Sequence, residues 1–439
     1  MLTPEPDKGL IASSVFQDRL ERGSSYMTKT KAVISVLVVM LLAAASVFGA
    51  PVKVGCIESL SGPQASTGLP YCRAVRYGID RINAAGGWNG QKIEVVEYDN
   101  QGGTGGAADK LKAAIADGVQ IIVQGASSAV SGQLTEDVRK HNIRNPGHEV
   151  MFMNVGGEAN ELTGEKCQFY HFRFCTNAQV RVKTLVLAMK QANTLGTKVY
   201  AMNQDYSWGR DMEKAIIDNA QAGGYQVVGK MLHDVNKIQD FTPYVARVKE
   251  SGAQTVLTGN WSNDLLLLMK AAHESGVKAR FGTTFLDQPG NLANAGETAL
   301  GYYISHPFDI EAAGKEGEQF AADYKAKTGK LPAYIEPQTV FAMSMLGQAL
   351  KSVKPVNGNL DVKALAKSME TTRIHTPMGE EFMRAADHQV QIPMVVSVVS
   401  KDAKYKMDDT QMGFKPVKKF TAEEASAPPQ ASCNMQRPD

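Results

Sequence analysis

At 439 residues the chain has room for two ordinary domains with real cores, and its forty glycines and 43% hydrophobic content fit a compact α/β protein. The 47 Lys and Arg against 45 Asp and Glu leave a formal net charge of +2. That balance excludes the one-signed field expected of a protein that holds nucleic acid or an anionic membrane surface, so a ligand must be sought in local chemistry.

Residues 1–26 are polar and irregular and read as an extension ahead of the true start at Met27. From there MTKTKAVISVLVVMLLAAASVFGAP places Lys29 and Lys31 before an apolar stretch over 32–45 and small residues after it, the pattern of a signal peptide over 27–49. The apolar run is shorter than the ~20 residues a spanning helix needs, and no other follows, so the mature chain is expected in the periplasm without stable membrane insertion. Export gives the five cysteines meaning. Cys167 and Cys175 flank QFYHFRF and are the favoured disulfide; Cys56 and Cys72 are equally readable as a second local bridge or as buried thiols, with Cys433 left over.

A short buried strand over 52–57 leads into the loop SLSGPQASTG, and Tyr71, Ala74, Val75, Gly78, Ile79 and Ile82 then recur at helical spacing up to Ala85-Gly86-Gly87. A strand over 93–98 and a helix over 107–117 follow. The intervening NQGGTGG lacks the Gly-Lys-Ser/Thr ending of a phosphate loop and reads as a plain connection. The apolar run of Val119, Ile121, Ile122 and Val123 ends at Gly125, and the hydroxyls of Ser127 and Ser128 come next, just before a helix reaching about His141. A hydroxyl-rich turn at a helix N-terminus is a good place for a carboxylate. A fourth strand over 150–155 ends in GGEANELT.

Strands alternating with helices predict a parallel sheet covered on both faces. After 169–174 a second series echoes the first: strands over 198–203, 226–231 and 255–258, with helices over 210–222, 241–251 and 263–274. Two similar lobes are therefore expected. Elements over 302–306, 314–328, 337–350, 362–369 and 394–400 complete the fold, and the expected division is lobe 1 over 51–174 and 305–380, lobe 2 over 175–304 and 381–420. From 421 the polar, proline-containing EEASAPPQASCNMQRPD is expected to form a disordered tail over 421–439.

In this order, VKVGCIESLSGP, YGIDRINAAGG, IEVVEYDNQ, GASSAVS, DYSWGRD and the late P-x-Y-x-E-P-Q-T resemble the periplasmic binding proteins of branched-chain amino acid ABC transporters, the leucine/isoleucine/valine-binding family of type I periplasmic binding proteins. The resemblance covers roughly 52–420. It implies two doubly wound parallel-sheet lobes joined by a multi-strand hinge, which close on a small molecule and deliver it to an ABC permease. It further implies that Ser127 and Ser128 hold the ligand carboxylate, that Gly156, Gly157 and Glu158 supply the next loop, and that Trp208, with Tyr206 beside it, covers the ligand from the second lobe. Trp261, also in a loop after a strand, is a further candidate.

Amino-acid binders of the family hold the ammonium group with an acid from a second-lobe loop, near GTTFLDQPG here. The nearest matches, Thr284 and Phe285, are not acidic; Asp287, Asp205, Asp264 and Glu158 are the alternatives, and an aromatic or other small carboxylate stays open beside an amino acid. Two other readings compete. The same receptor could report to a membrane sensor, or GASSA could be the nucleophile elbow of an exported serine hydrolase, although it lacks the last glycine and a recognisable histidine partner. His-Glu-x-x-His and paired Cys-x-x-Cys are absent, so neither a metal nor another cofactor is expected.

Overall fold

The computed structural model describes residues 51–333 and 335–438; the expected extension and signal peptide lie outside them. One compact unit takes in Val52–Pro355 and the chain from Leu360 onward, and the short turn Val356–Asn359, closed by a bridge between its ends, falls outside it.

The unit is built on two sheets. The first half of the chain gives β1 (Lys53–Glu58), β2 (Glu94–Asp99), β3 (Ile121–Gln124), β4 (Met151–Asn154) and β5 (His171–Arg173), alternating with α1 (Ala65–Ala84), α2 (Thr104–Ala116) and α3 (Ser128–Arg144). Every residue of β3 and β4 is buried, as expected of strands with helices on both faces. The second series gives α4 (Ala178–Gln191), β6 (Lys198–Gln204), α5 (Ser207–Asp218), β7 (Gln226–His233), α6 (Thr242–Glu250), β8 (Thr255–Thr258), α7 (Ser262–Glu274), β9 (Arg280–Thr283) and β10 (Tyr303–His306). Then come α8 (Gly314–Thr328), α9 (Glu336–Leu350), α10 (Val362–Met369), β11 (Arg373–Thr376), β12 (Gly379–Arg384), β13 (Gln389–Gln391), β14 (Met394–Ser400), β15 (Gly413–Phe420) and the one-turn α11 (Ala422–Ala425).

The sheets run β11-β12-β13-β5-β4-β3-β1-β2 and β15-β14-β10-β9-β8-β6-β7. Within each, the order 2-1-3-4-5 of the parallel strands is the same, so the echo in the sequence is a repeat in the fold. In such a sheet the chain leaves in opposite directions after the first and third strands, and the crevice beyond their carboxyl ends is where ligands bind. Helix α9 returns to the first lobe and packs on α1 so closely that a Cβ at Gly78 would stand 2.5 Å from Met343 Cβ, which makes glycine a requirement of that crossing.

Three sequence expectations need correction. First, β12 and β13 pair with one another and β13 with β5, so the final return to the second lobe falls after Gln391 rather than at 381. Second, Cys167 does not pair with Cys175. It bonds to Cys433, Cys56 bonds to Cys72, and Cys175 is a buried free thiol. Third, the tail is ordered. Thr421 and Glu424 form a reciprocal capping box on α11. Lys183 of α4 donates to the Glu424 and Ser426 carbonyls, Arg384 of β12 donates to the Ala427 carbonyl, and Cys433 is then tied to the first lobe. A segment too polar to build a core can still be ordered by surfaces that already exist.

Candidate functional site

Loops after β1, β3 and β4 on one lobe and after β6, β8 and β9 on the other converge on a cleft of about 300 Å³, lined by Thr67, Tyr71, Gly125, Ala126, Ser127, Ser128, Gly156, Glu158, Tyr206, Trp208, Trp261 and Phe285. The lobes touch across it: Gln288 Nε2 donates to Thr67 Oγ1 at 3.4 Å, and the Asn160 N–H donates to Asp211 at 2.7 Å. This is a closed arrangement.

The first-lobe wall is a donor surface. Ser127 sits just before α3, at its N-cap position, with φ +78°, a conformation that costs a non-glycine residue on the order of 1–3 kcal/mol, and its side chain makes no capping bond to the helix. Its hydroxyl is thus left for the cleft. Ser128 Oγ accepts the Ala159 N–H at 3.1 Å, which ties the β3 turn to the β4 loop. Behind the turn, buried Glu58 accepts the N–H groups of Gly125 and Ala126. Burial pushes its carboxyl up to about 8, against the pull of those N–H groups, so near neutral pH it holds a proton and adds little negative charge to a wall that is to receive an anion.

The second-lobe wall is aromatic. Trp208 Nε1 donates to the Gly259 carbonyl at 2.8 Å, Trp261 Nε1 donates to the Tyr206 hydroxyl at 2.7 Å, and the Trp208 and Phe285 rings lie 5.7 Å apart. Each indole polar atom is spent inside the wall, which leaves ring surface for the ligand. Ser262, at the start of α7, has φ +56°, so both lobes carry a strained serine after the third parallel strand.

Of the expected residues, Ser127, Ser128, Gly156, Glu158, Tyr206, Trp208, Trp261 and Phe285 meet in this cleft. Gly157 does not line it: its N–H is bonded to Asn154 Oδ1 at 2.7 Å, and its role is the turn. Asp287 does not line it either. Its carboxylate turns to His306 at 3.4 Å, and the two line a separate chamber of about 390 Å³. Asp264 is bonded to Gln204 and the Asn236 N–H, and Asp205 pairs with Arg210 at the surface. Thr67, Tyr71, Glu58 and Arg181 were not expected. Tyr71 looked like one more apolar helix position, yet it lines the cleft so tightly that a Cβ on Gly125 or Gly156 would fall within 2.4 and 1.9 Å of it. Among the described residues no group of His, Cys, Asp and Glu could hold a metal ion, and no helix is long and apolar enough to cross a membrane.

A family model described as "Periplasmic binding protein" matches residues 51–404. The chain belongs to this family. This periplasmic binding protein is 56% identical over 398 residues to Leu/Ile/Val-binding protein homolog 4 of Brucella abortus, covering 91% of this chain and 96% of that relative. It superposes on the leucine-, isoleucine-, valine-, threonine- and alanine-binding protein of Brucella ovis, in a closed conformation, with a TM-score of 0.85 and 56% identity over 89% of this chain and 100% of the other. A solute-binding protein of R. palustris solved with 4-hydroxybenzoate shares the fold at 18% identity, with a TM-score of 0.74 over 85% of this chain and 97% of that one. Periplasmic binding proteins bind small molecules, work with ABC permeases and are typically not enzymes.

Proposed function

We propose that the protein is exported and captures a small carboxylate-bearing solute between its lobes, an aliphatic amino acid ahead of an aromatic or other small acid, for delivery to an ABC permease. The observation that carries this reading is the pairing within one cleft of the Ser127–Ser128 turn on the first lobe with the rings of Tyr206, Trp208, Trp261 and Phe285 on the second. A solute that touches both walls favours the closed form, and closure creates the surface a permease can recognise. The preference for an aliphatic amino acid draws support from the ligands named for the Brucella ovis relative. The geometry gives no support to the hydrolase reading, because the group bonded to the Ser128 hydroxyl is the Ala159 N–H, a donor that cannot take the serine proton.

Thermal-shift screening of the mature protein against amino acids, aromatic acids, short amides and dicarboxylates tests the reading. A true ligand at ~100 times its dissociation constant adds about 2.7 kcal/mol of stability. The expected result is a clear shift with branched aliphatic amino acids, and a panel without any response from a carboxylate would overturn it.

A further inference from the structure

Arg181, on the second turn of α4, is fully buried where the lobes meet. Its guanidinium forks onto Glu158, Nη2 to Oε1 at 2.5 Å and Nε to Oε2 at 3.0 Å, with both side chains 4% exposed. Its Nη1 donates to the carbonyls of Ser305 at 2.5 Å and Thr284 at 3.3 Å, and it lies 5.0 Å over the ring of Phe285. Glu158 comes from the first lobe; Arg181, Thr284, Phe285 and Ser305 come from the second.

We infer that Arg181 is a positioning residue that fixes the Glu158 carboxylate in the cleft wall, where Glu158 accepts the ammonium group of an α-amino acid whose carboxylate rests on the Ser127–Ser128 turn. The inference rests on the carboxylate-capture reading above and names its substrate class.

Three observations support it. The second-lobe positions that should carry an acid hold Thr284 and Phe285, and Asp287 is turned to His306, so among the described residues that line the cleft Glu158 is the one with a carboxylate. The fork takes one lone pair on each Glu158 oxygen and leaves another on each for a second donor. The pair is also neutral as a unit, so a ligand with one charge of each sign fits without leaving a buried charge unmatched, whereas a bare acid or a bare amine would unbalance the site. Because the fork crosses between lobes, the ammonium acceptor is fixed in place only when the cleft is closed.

The test is calorimetric binding of L-leucine and of its des-amino counterpart 4-methylpentanoate to the wild-type protein, Glu158→Gln, Arg181→Lys, and the double variant Glu158→Gln with Arg181→Met. The double variant removes both charges together and guards against a fold lost to one unpaired charge. The wild-type protein should prefer L-leucine at least about tenfold, the worth of one charge-assisted bond. Glu158→Gln and the double variant should lose that preference by weakening L-leucine while sparing 4-methylpentanoate, and Arg181→Lys should keep part of it. A preference unchanged in Glu158→Gln, or a wild-type protein that binds the two ligands equally, overturns the inference and leaves carboxylate capture standing. Failure of both ligands to bind overturns the inference, and carboxylate capture falls with it only when the wider carboxylate panel also gives no thermal shift.

Discussion

A serine hydroxyl has one hydrogen to give and two lone pairs to receive, and Ser128 uses a lone pair on the Ala159 N–H. Its own hydrogen is the part a carboxylate would use. Ser128→Ala is therefore expected to weaken carboxylate binding by about 1–3 kcal/mol, read by calorimetry, and unchanged affinity would take the hydroxyl out of the site. Glu58 has a different signature. Below about pH 4.5 it is protonated folded and unfolded alike; between there and about 8 the unfolded chain ionises while the native carboxyl keeps its proton. The native state then binds more protons, so stability falls as pH rises through that window. Glu381, which burial also pushes up to about 8, acts with the same sign. Denaturant melts across the window should show the decline, and Glu58→Gln with Glu381→Gln should flatten it. An equal slope in the double variant would rule these carboxyls out as its source.

At the scale of elements, what a sequence reveals depends on how local the determinant is. The turn after β3 was legible because strand, glycine, two hydroxyls and helix follow one another within a few residues. Trp208 and Trp261 were legible as residues after strand ends. Arg181 was not, because an arginine on the buried side of α4 looks the same in sequence whether it lies on the surface or on a carboxylate from another lobe. Asp287 and Gly157 were placed by proximity in sequence to the right loops, and the structure turns one toward His306 and uses the other to close a turn. The closeness of Tyr71 to the strand-end glycines gives a further prediction. Gly156→Ala would drive a methyl into the Tyr71 hydroxyl, displace the α1 end from the cleft wall and lower affinity, whereas the surface change Gly105→Ala, where a Cβ meets nothing, should leave binding unchanged. Equal affinities for the two variants would show that Tyr71 does not shape the site.

At the scale of the whole molecule, the repeated 2-1-3-4-5 order puts two crevices face to face, and the chain passes between the lobes after β5, after β10 and after β13. The repeat was visible in the alternation of strand, loop and helix. The last crossing was misplaced because β12 and β13 are short antiparallel strands that extend the first sheet past β5, and antiparallel extension leaves no crossover helix in the sequence to mark it. The tail adds a further tie, leaving the edge strand β15 of one sheet and ending in a covalent bond to the other lobe. Cys433→Ser should cost about 2–5 kcal/mol in a denaturant melt under oxidising conditions, and the difference from the wild-type protein should vanish when a reductant is added. A cost that persists in reductant would mean the serine acts through local packing.

The bond between Cys167 and Cys433 spans a sequence separation of 266 residues, against 16 for Cys56 and Cys72. A chain made from its N-terminus presents the near pair together and the far pair at a long interval. Cys167 must wait as a thiol until the segment that bears Cys433 is available, with Cys175 eight residues away as a wrong partner. Burial of Cys175 pushes its thiol well above the ordinary range and withholds the reactive thiolate, so once β5 and its neighbours have packed the wrong bond is closed off. The native bond therefore closes only after the segment that bears Cys433 has met the first lobe, and a chain without that segment keeps a free thiol at Cys167.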